Sequence, residues 1–218
     1  MSRISILLQN RDFVAVNKPT GLSVHNEDPQ GNLLSLLVSE IKVAKLFPVH
    51  RLDKETSGVQ ILALNELAAA VLAKQFQEKE VLKLYCGILR GKISAAEGVW
   101  NLPLTDKAEG RKNPQGLAKD RIPCETRFRV IETSNYFTKC EFQLITGRQH
   151  QIRKHATISG NALVGDSRYG DPKYNQRMAE IYKTDRLFLH CHQIEIGGHK
   201  ISAQIPTEFA SLFVKPSA

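Results

Sequence analysis

The sequence predicts an α+β fold on a largely antiparallel, mixed β-sheet with flanking helices and loops. Segments with strand-like apolar patterns outnumber those with helical spacing, and neighbouring strand-like segments are mostly joined by hairpin-length connections. No internal repeat, low-complexity tract or Pro/Ser-rich linker divides the chain. We therefore expect residues 1–218 to form a single domain.

Strands and helices alternate in the first part of the chain. Phe13–Val16 is apolar and ends at a turn, which predicts a short strand. Leu33–Val43 has apolar residues at helical spacing, and Glu66–Lys79 combines an Ala/Leu face with polar residues. Val59–Leu64, between these two helices, is predicted to be a buried strand.

The second part of the chain is richer in strands. Val81–Leu89 alternates apolar and polar residues, which is typical of a strand. Gly147 opens a helical stretch that Gly160 ends. Further strands are predicted over Cys124–Glu132, Phe137–Ile145, Leu187–Ile196 and Lys200–Ile205, the last two as a hairpin across Gly197-Gly198.

The charge of the chain is positive and unevenly distributed. The 218 residues include 30 Lys+Arg and 22 Asp+Glu, a formal charge of +8. Residues 105–160 contain 11 basic and 6 acidic residues, so this stretch holds most of the excess. Clustered cations release counterions from a phosphate backbone, and the bias therefore favours a nucleic acid partner.

Several classes of protein are disfavoured. The longest apolar run, Leu67 to Ala73, is too short for a membrane span, and no secretory leader is evident, so we expect a cytoplasmic protein. The four cysteines form no C-x-x-C pair and are expected to be reduced and mostly buried. His190 and His192 would share one face of a strand with Cys191 on the other, which disfavours a metal site.

The segment from Thr105 to Arg121 has almost no large apolar residues and five basic ones. It cannot pack as core. Two interpretations remain open: a solvated surface loop, or a mobile basic arm that closes on a polyanion.

Asp53 lies in the sequence HRLDKETSG, on the short connection before the Val59 strand. From the residues alone it is either a turn residue that caps local amides or a catalytic carboxylate.

The helix after Gly147 carries basic residues on more than one face, including Arg148 and Arg153. An arginine beside a buried aspartate would favour the ionised carboxylate that a nucleophile requires. An exposed basic helix face is the alternative.

Six segments, in order, resemble the RluA-type RNA pseudouridine synthases. HRLDKETSG resembles the family signature H-R-L-D-x-x-T-S-G, and TGRQHQIRKH resembles T-G-R-x-H-Q-I-R-x-H. Lys83 and Tyr85 match a K-x-Y strand. The other three segments are NKPTGLSVH, LVGDSRYG and FLHCHQIEI. The resemblance extends from Ile4 to Phe213.

The resemblance implies a pseudouridine synthase-like catalytic domain that isomerises selected uridines in RNA without a cofactor or metal. Asp53 matches the essential aspartate of the family. Ribose C1′ can develop oxocarbenium character, and a carboxylate can add to it or stabilise it. A catalytically silent RNA-binding protein on the same scaffold is the alternative function.

Four further residues take site roles from the resemblance. Arg153 matches the arginine that pairs with the aspartate, and Tyr85 matches the tyrosine that stacks on the target base. Leu189 aligns with an apolar residue of the uracil pocket. Arg51 corresponds to an arginine that enters the RNA stack where the uridine has left.

The remaining candidate residues are expected to contact RNA, whose stem-loop would belong to rRNA or tRNA. These residues are Lys18, Arg111, Lys112, Lys119, Arg148, His150 and Gln151. The sequence departs from the commonest family pattern at Gln149, Lys154 and Cys191. We also expect a catalytic domain without the S4-type module that many members carry, and a monomer.

Overall fold

The computed structural model describes residues 4–25 and 31–214. The chain folds into two compact units, the first made of Met1–Lys83 and Cys191–Gln204 and the second of Leu84–His190 and Ile205–Ala218. The single domain expected over 1–218 stays a prediction, and residues 1–3, 26–30 and 215–218 of that range lie outside the described residues. The strands and α-helices of the described residues are, in chain order, β1 (Ser5–Gln9), β2 (Phe13–Lys18), α1 (Leu33–Ile41), β3 (Phe47–Pro48), β4 (Ser57–Ala63), α2 (Glu66–Gln77), β5 (Leu82–Arg90), β6 (Glu97–Trp100), β7 (Thr126–Thr133), β8 (Phe137–Leu144), α3 (Gln151–Ile158), α4 (Pro172–Tyr182), β9 (Leu189–Ile196), β10 (His199–Ser202) and α5 (Glu208–Ser211).

The first unit is built on the strand order β1-β2-β4-β9, with β3 beside β4 and β10 beside β9. The pairs β1–β2, β2–β4, β3–β4 and β9–β10 are antiparallel. All seven residues of β4 are buried, as expected of a strand with neighbours on both edges. The predicted strand Val59–Leu64 is confirmed, with each end shifted by one or two residues.

Two capped helices flank the strands of this unit. The side chains of Asn32 and Asn65, at the start of α1 and α2, accept hydrogen bonds from amides three residues further on. The predicted helices are confirmed, although α1 ends two residues early because Lys42 adopts a left-handed conformation. The buried core beside α1 consists of Ile4, Val14, Val16, Val24, Leu33, Leu37, Leu46 and Leu62.

The second unit contains the strand order β5-β8-β7-β6, in which all neighbours are antiparallel. The predicted strand pair Cys124–Glu132 and Phe137–Ile145 is confirmed as β7 and β8. A core of Cys86, Ile88, Phe137, Val164, Phe188, Phe209 and Leu212 packs against residues of α4. The expected α+β class with a largely antiparallel sheet is therefore confirmed.

Helix α3 begins three residues later than the predicted helical stretch, which starts at Arg148 after Gly147. His150 has a φ of 57°, outside the helical region, so Gln151 is the first helical residue. The side-chain Oε1 of Gln151 accepts the amide of Arg148 over 3.0 Å and stabilises this entry turn. Within the part of the chain that the structure describes, no helix is both long and apolar enough to cross a membrane.

Candidate active site

Asp53 lies in a closed turn just before β4, in the first unit. The amide of Thr56 donates to the carbonyl oxygen of Asp53 over 3.1 Å, and the amide of Gly21 donates to that of Lys54 over 2.9 Å. Asp53 is half-buried. These hydrogen bonds form a backbone turn, whereas both predicted roles of the carboxylate, capping local amides or catalysis, stay predictions.

Lys18, at the end of β2, is fully buried. Its Nζ donates to the carbonyl oxygens of Pro19 (3.1 Å), Leu22 (2.7 Å) and Lys54 (3.1 Å). A buried ammonium whose hydrogens point at carbonyl oxygens is poorly placed to bind a phosphate in solvent. The placement of Lys18 therefore favours a different role from the expected phosphate contact: it ties the loop after β2 to the Asp53 turn.

Arg51 is exposed and lies two residues before Asp53, beside His25 of the matched segment NKPTGLSVH. Its Nη1 is 3.1 Å from Nε2 of His25, which is also exposed. A guanidinium can only donate, so Nε2 of His25 accepts this hydrogen bond and carries no proton. The exposure of Arg51 is compatible with entry into an RNA stack, which stays a prediction.

His50 and Gln60 hold the backbone that leads to Asp53, and the sequence did not suggest either of them. Nε2 of His50 accepts the amide of Ile61 over 2.9 Å, and the ring stacks on Phe76 with centroids 4.8 Å apart. Gln60 accepts the amide of Leu52 over 3.0 Å and donates to the carbonyl oxygen of His50 over 2.7 Å. Desolvation, aided by the positive charge of Lys83, lowers the pKa of His50 to about 3, so the ring is neutral.

Gly58 explains one position of the HRLDKETSG motif. Its φ is 115°, and a Cβ atom there would overlap the carbonyl oxygen of Cys191 on β9. Only glycine combines this conformation with so close a backbone approach. The glycine is therefore needed for strand packing next to the Asp53 turn.

Arg153 lies on α3 in the second unit and forms a buried, two-pronged ion pair with Asp166. Its Nε and Nη2 each lie 2.8 Å from a carboxylate oxygen of Asp166. The two side chains are 2% and 0% exposed. The sequence did not suggest Asp166 as a partner, although it lies in the matched segment LVGDSRYG; the pairing of Arg153 with Asp53 stays a prediction.

The segment around Asp166 fixes the arginine further. Oδ1 of Asp166 also accepts the amides of Arg168 (3.0 Å) and Tyr169 (2.9 Å). The guanidinium of Arg153 lies over the ring of Tyr169, 5.4 Å from its centroid. The hydroxyl of Tyr169 is 2.9 Å from Nδ1 of His150, so the structure brings together two of the predicted site residues, His150 and Arg153.

Tyr85 and Leu189 also lie in the second unit, and both are buried, at 6% and 3% exposure. Tyr85 is opposite Phe142 in the β5–β8 pair. A Cβ atom on the nearby Gly87 would lie 2.8 Å from the Phe142 ring and 3.3 Å from Leu189, so glycine leaves room for these apolar side chains. The roles of Tyr85 and Leu189 toward a base stay predictions.

Gln151 is an internal support rather than an exposed RNA contact. It is 2% exposed, and its amide nitrogen donates to the carbonyl oxygen of Glu125 and the hydroxyl of Thr126, each over 2.9 Å. This placement favours a structural role over the expected contact with substrate.

Arg148 is partly exposed, with Nη1 3.8 Å from Oδ2 of Asp106.

The basic segment Thr105–Arg121 lies at the surface of the second unit. Its cations Arg111, Lys112 and Lys119 are exposed. Nη1 of Arg111 donates to the carbonyl oxygen of Gly170 over 3.3 Å, so the segment contacts the end of LVGDSRYG. The exposure of these three side chains is compatible with contacts to phosphate.

The cysteine thiols are poor candidates for chemistry. Cys86, Cys124, Cys140 and Cys191 are free and buried, as expected. Burial raises the pKa of Cys86 to about 11 and of Cys140 to about 12, so both are unreactive thiols. Over residues 4–25 and 31–214, no group of three or more His, Cys, Asp or Glu side chains could hold a metal ion.

Two solved structures share the fold. The chain matches human RNA pseudouridylate synthase domain containing 4 with a TM-score of 0.79 and 24% identity, covering 94% of this chain and 90% of that one. The human domain containing 1 matches with a TM-score of 0.76 and 24% identity, covering 94% and 83%.

Three similar sequences have related names. Ribosomal large subunit pseudouridine synthase C of Vibrio parahaemolyticus is 33% identical over 87% of this chain and 60% of its own length. An RNA pseudouridine synthase of Synechocystis, named as uncharacterized, is 33% identical over 96% of this chain and 65% of its own length. The chain thus spans less than two thirds of these two relatives. The tRNA pseudouridine synthase C of Haemophilus ducreyi is 31% identical over 96% of this chain and 94% of its own length.

The family model described as RNA pseudouridylate synthase matches residues 12–157. This range includes Asp53, Tyr85 and Arg153. The match agrees with the RluA-type resemblance of the six segments. The chain therefore belongs to the RNA pseudouridylate synthase family.

Proposed function

We propose that this chain converts uridine to pseudouridine in RNA, with Asp53 as its catalytic carboxylate. The observation that carries the proposal is the family membership over residues 12–157, with Asp53 in the matched signature on a closed turn. Hydrogen bonds from two motifs fix the backbone on both sides of this residue. A rigid support of this kind suits a group that must meet a ribose carbon in a defined geometry.

The proposed reaction is an isomerisation. The bond between N1 of uracil and ribose C1′ breaks, the freed base turns, and a new bond forms between C5 and C1′. C5 loses a proton and N1 gains one, so the reaction is neutral in atoms and electrons and the proposal includes no cofactor. Asp53 adds to C1′ or stabilises its oxocarbenium character.

The other site residues support that chemistry in the proposal. Arg153, held by Asp166, pairs with Asp53 and orients its carboxylate. Tyr85 stacks on the target base, and Leu189 lines the uracil pocket. Arg51 enters the stack that the uridine leaves, which offsets part of the unstacking cost.

The RNA partner is proposed to be a stem-loop of rRNA or tRNA, since the relatives are named for both classes of RNA. Arg148, His150 and the exposed cations Arg111, Lys112 and Lys119 would contact the RNA, whereas the buried Gln151 would support the start of α3. We further propose that the chain acts as a monomer in the cytoplasm.

The test is pseudouridine formation in unmodified transcripts. The purified chain is incubated with transcripts of large-subunit rRNA and of tRNAs, and pseudouridine is measured by nucleoside mass spectrometry and located by carbodiimide mapping. The unaltered chain should modify a small number of uridines. Asp53→Asn keeps the side-chain volume and removes the charge, so it should lower the rate by about a thousandfold or more while RNA binding is retained.

The matched control is Asp185→Asn, which neutralises an exposed carboxylate and should leave the rate unchanged. Comparable turnover by Asp53→Asn would refute the assignment of the carboxylate. RNA binding by the unaltered chain with no pseudouridine in any transcript would favour a catalytically silent binding protein.

A further inference from the structure

Lys154 is a fully buried lysine on α3 whose ammonium is directed at the basic segment Thr105–Arg121. Its relative exposure is 0%. Nζ donates to the carbonyl oxygen of Thr105 over 2.8 Å and to that of Lys107 over 2.7 Å, and it lies 3.5 Å from Oγ1 of Thr105. The side chain therefore holds two backbone carbonyls at the start of this segment.

Burying an ammonium is costly unless oxygen atoms replace the water it loses. An ammonium has three hydrogens, and the two carbonyls together with the Thr105 hydroxyl supply three oxygens. The carbonyl oxygens in turn depend on the ammonium, because a carbonyl removed from water is also unfavourable without a donor. If the lysine is removed, the buried carbonyl of Thr105 and the part-buried carbonyl of Lys107 lose their donor, so the conformation of residues 105–107 depends on Lys154.

Two further contacts hold the segment near the same place. Oδ1 of Asp106 accepts the amide of Gln149 over 2.8 Å, just before α3. Nη1 of Arg168 donates to the carbonyl oxygens of Ala108 and Glu109 over 3.2 and 3.4 Å. Both contacts are exposed, whereas the hydrogen bonds of Lys154 to Thr105 and Lys107 are buried and part-buried, so of these three anchors the lysine is the one that water competes with least.

The rest of the segment is braced by its own side chains. Arg121 donates to the carbonyl oxygen of Gly116 through Nε (3.1 Å) and Nη2 (2.7 Å). Nζ of Lys107 lies 3.2 Å from Oδ2 of Asp120, which links the two halves of the segment. The segment therefore presents exposed cations from a folded loop whose first residues are fixed by Lys154.

We propose that Lys154 is a positioning residue for RNA binding: it touches no RNA itself but fixes Thr105–Arg121 so that Lys112 and Lys119 meet phosphates in a preset arrangement. The proposal rests on the proposed RNA-modifying function and adds to it a determinant of affinity. Fixing a loop before binding removes the ordering cost that a free loop would incur during binding.

The first test compares Lys154→Met with the unaltered chain. Met keeps the length of the stem and removes the three donors. Hydrogen–deuterium exchange should become faster in residues 105–121 and stay the same in the two strands β5 and β8. The affinity for a fluorescently labelled RNA hairpin with a uridine-containing loop should fall about tenfold, the factor expected if about one more residue must be ordered on binding. The rate of pseudouridine formation at saturating RNA should stay within about twofold.

Lys92→Met is the matched control, because Lys92 is exposed and lies outside the segment. It removes one positive charge without removing an anchor, and exchange in 105–121 should not change. Lys154→Gln retains one amide donor and serves as the second variant if Lys154→Met does not fold.

A double-mutant cycle separates positioning from general destabilisation. The pair Lys112→Gln and Lys119→Gln should weaken hairpin binding in the unaltered chain and have a much smaller effect when Lys154→Met is also present. Additive effects, unchanged exchange in 105–121, or no affinity of the unaltered chain for the hairpin would overturn the proposal. Failure of the catalytic proposal is distinguished by loss of pseudouridine formation alone, since exchange and affinity do not depend on turnover.

Discussion

Buried cations are a recurring feature of the individual residues in the matched motifs. Lys18 and Lys154 direct their ammonium hydrogens at backbone carbonyls, and Arg153 directs two edges of its guanidinium at Asp166. Each such group is stable inside the protein only while its oxygen partners stay in place. These residues therefore stabilise particular loop conformations, and removing a partner should be more harmful than removing an exposed charge.

The Arg153–Asp166 pair gives a direct test of this point. Asp166→Asn preserves the shape but removes the charge opposite a buried guanidinium, so we expect the free energy of unfolding to fall by about 3–5 kcal/mol. Urea unfolding with a constant m-value measures the change. The exposed control Asp185→Asn should differ from the unaltered chain by less than about 0.5 kcal/mol, and equal stability of the two variants would contradict the buried-pair account.

At the scale of single elements, Gly58 links the Asp53 turn to the packing of β4. Gly58→Ala combines a left-handed backbone conformation with overlap against Cys191. We expect a loss of about 2–5 kcal/mol in unfolding free energy, from strain of about 1–2 and displacement of about 1–3 kcal/mol.

Gly160→Ala is the natural control for this change. Gly160 has a φ of 84°, and a Cβ atom there meets nothing within 4 Å. Gly160→Ala should therefore lose only the part of the unfolding free energy that comes from backbone strain, about 1–2 kcal/mol. If both variants lose the same stability in thermal or urea unfolding, close strand approach is not what requires glycine at position 58.

The elements with clear periodicity could be predicted from the sequence. Those without it were missed, whether they had only capping signals or no local signal. β2, β4, α1, α2 and the β9–β10 hairpin follow apolar patterns that the structure confirms. Helix α4 was not predicted, although Asp171 caps it and Pro172 occupies its first turn. Short strands such as β1 and β6 depend on pairing with distant neighbours, which no local pattern shows.

The candidate site was predictable to a similar extent. The resemblance gave the position of Asp53, which lies on a backbone turn, and its catalytic role stays a prediction. Asp166 and Lys154 could not be assigned their partners, because their contacts join residues 13 to 49 positions apart in sequence. Lys18 shows the converse problem: a cation in a matched motif was expected at the RNA surface, and only three-dimensional packing reveals that it is buried.

At the scale of the whole molecule, two histidines with lowered pKa values set the response to acid. The pKa of His50 is lowered from 6.5 to about 3, and desolvation also lowers the pKa of His155. Between about pH 3 and pH 6.5, His50 binds fewer protons in the folded chain than in the unfolded chain. Stability from neutral His50 is therefore complete above about pH 6.5 and decreases as the pH falls toward 3.

Unfolding in urea at pH 7 and pH 5 measures this response. His50 should contribute a loss of about 1–2 kcal/mol over this interval, since one pKa unit corresponds to about 1.4 kcal/mol and the residue is partly exposed. His50→Gln can still accept the amide of Ile61 and does not titrate, so its stability should depend less on pH. If His50→Gln loses as much stability between pH 7 and pH 5 as the unaltered chain does, titration of His50 is not the cause of the loss.

The first unit is assembled from two stretches of chain, and its strand β9 reaches β4 only after residues 84–190 have been made. At about 5–20 residues per second, the ribosome needs about 5–20 s for that interval. During this time one edge of β4 has only the two-residue strand β3 beside it, and an uncovered apolar edge invites pairing with other chains. Newly made chains are therefore most vulnerable to aggregation in this interval, before synthesis reaches the β9–β10 hairpin.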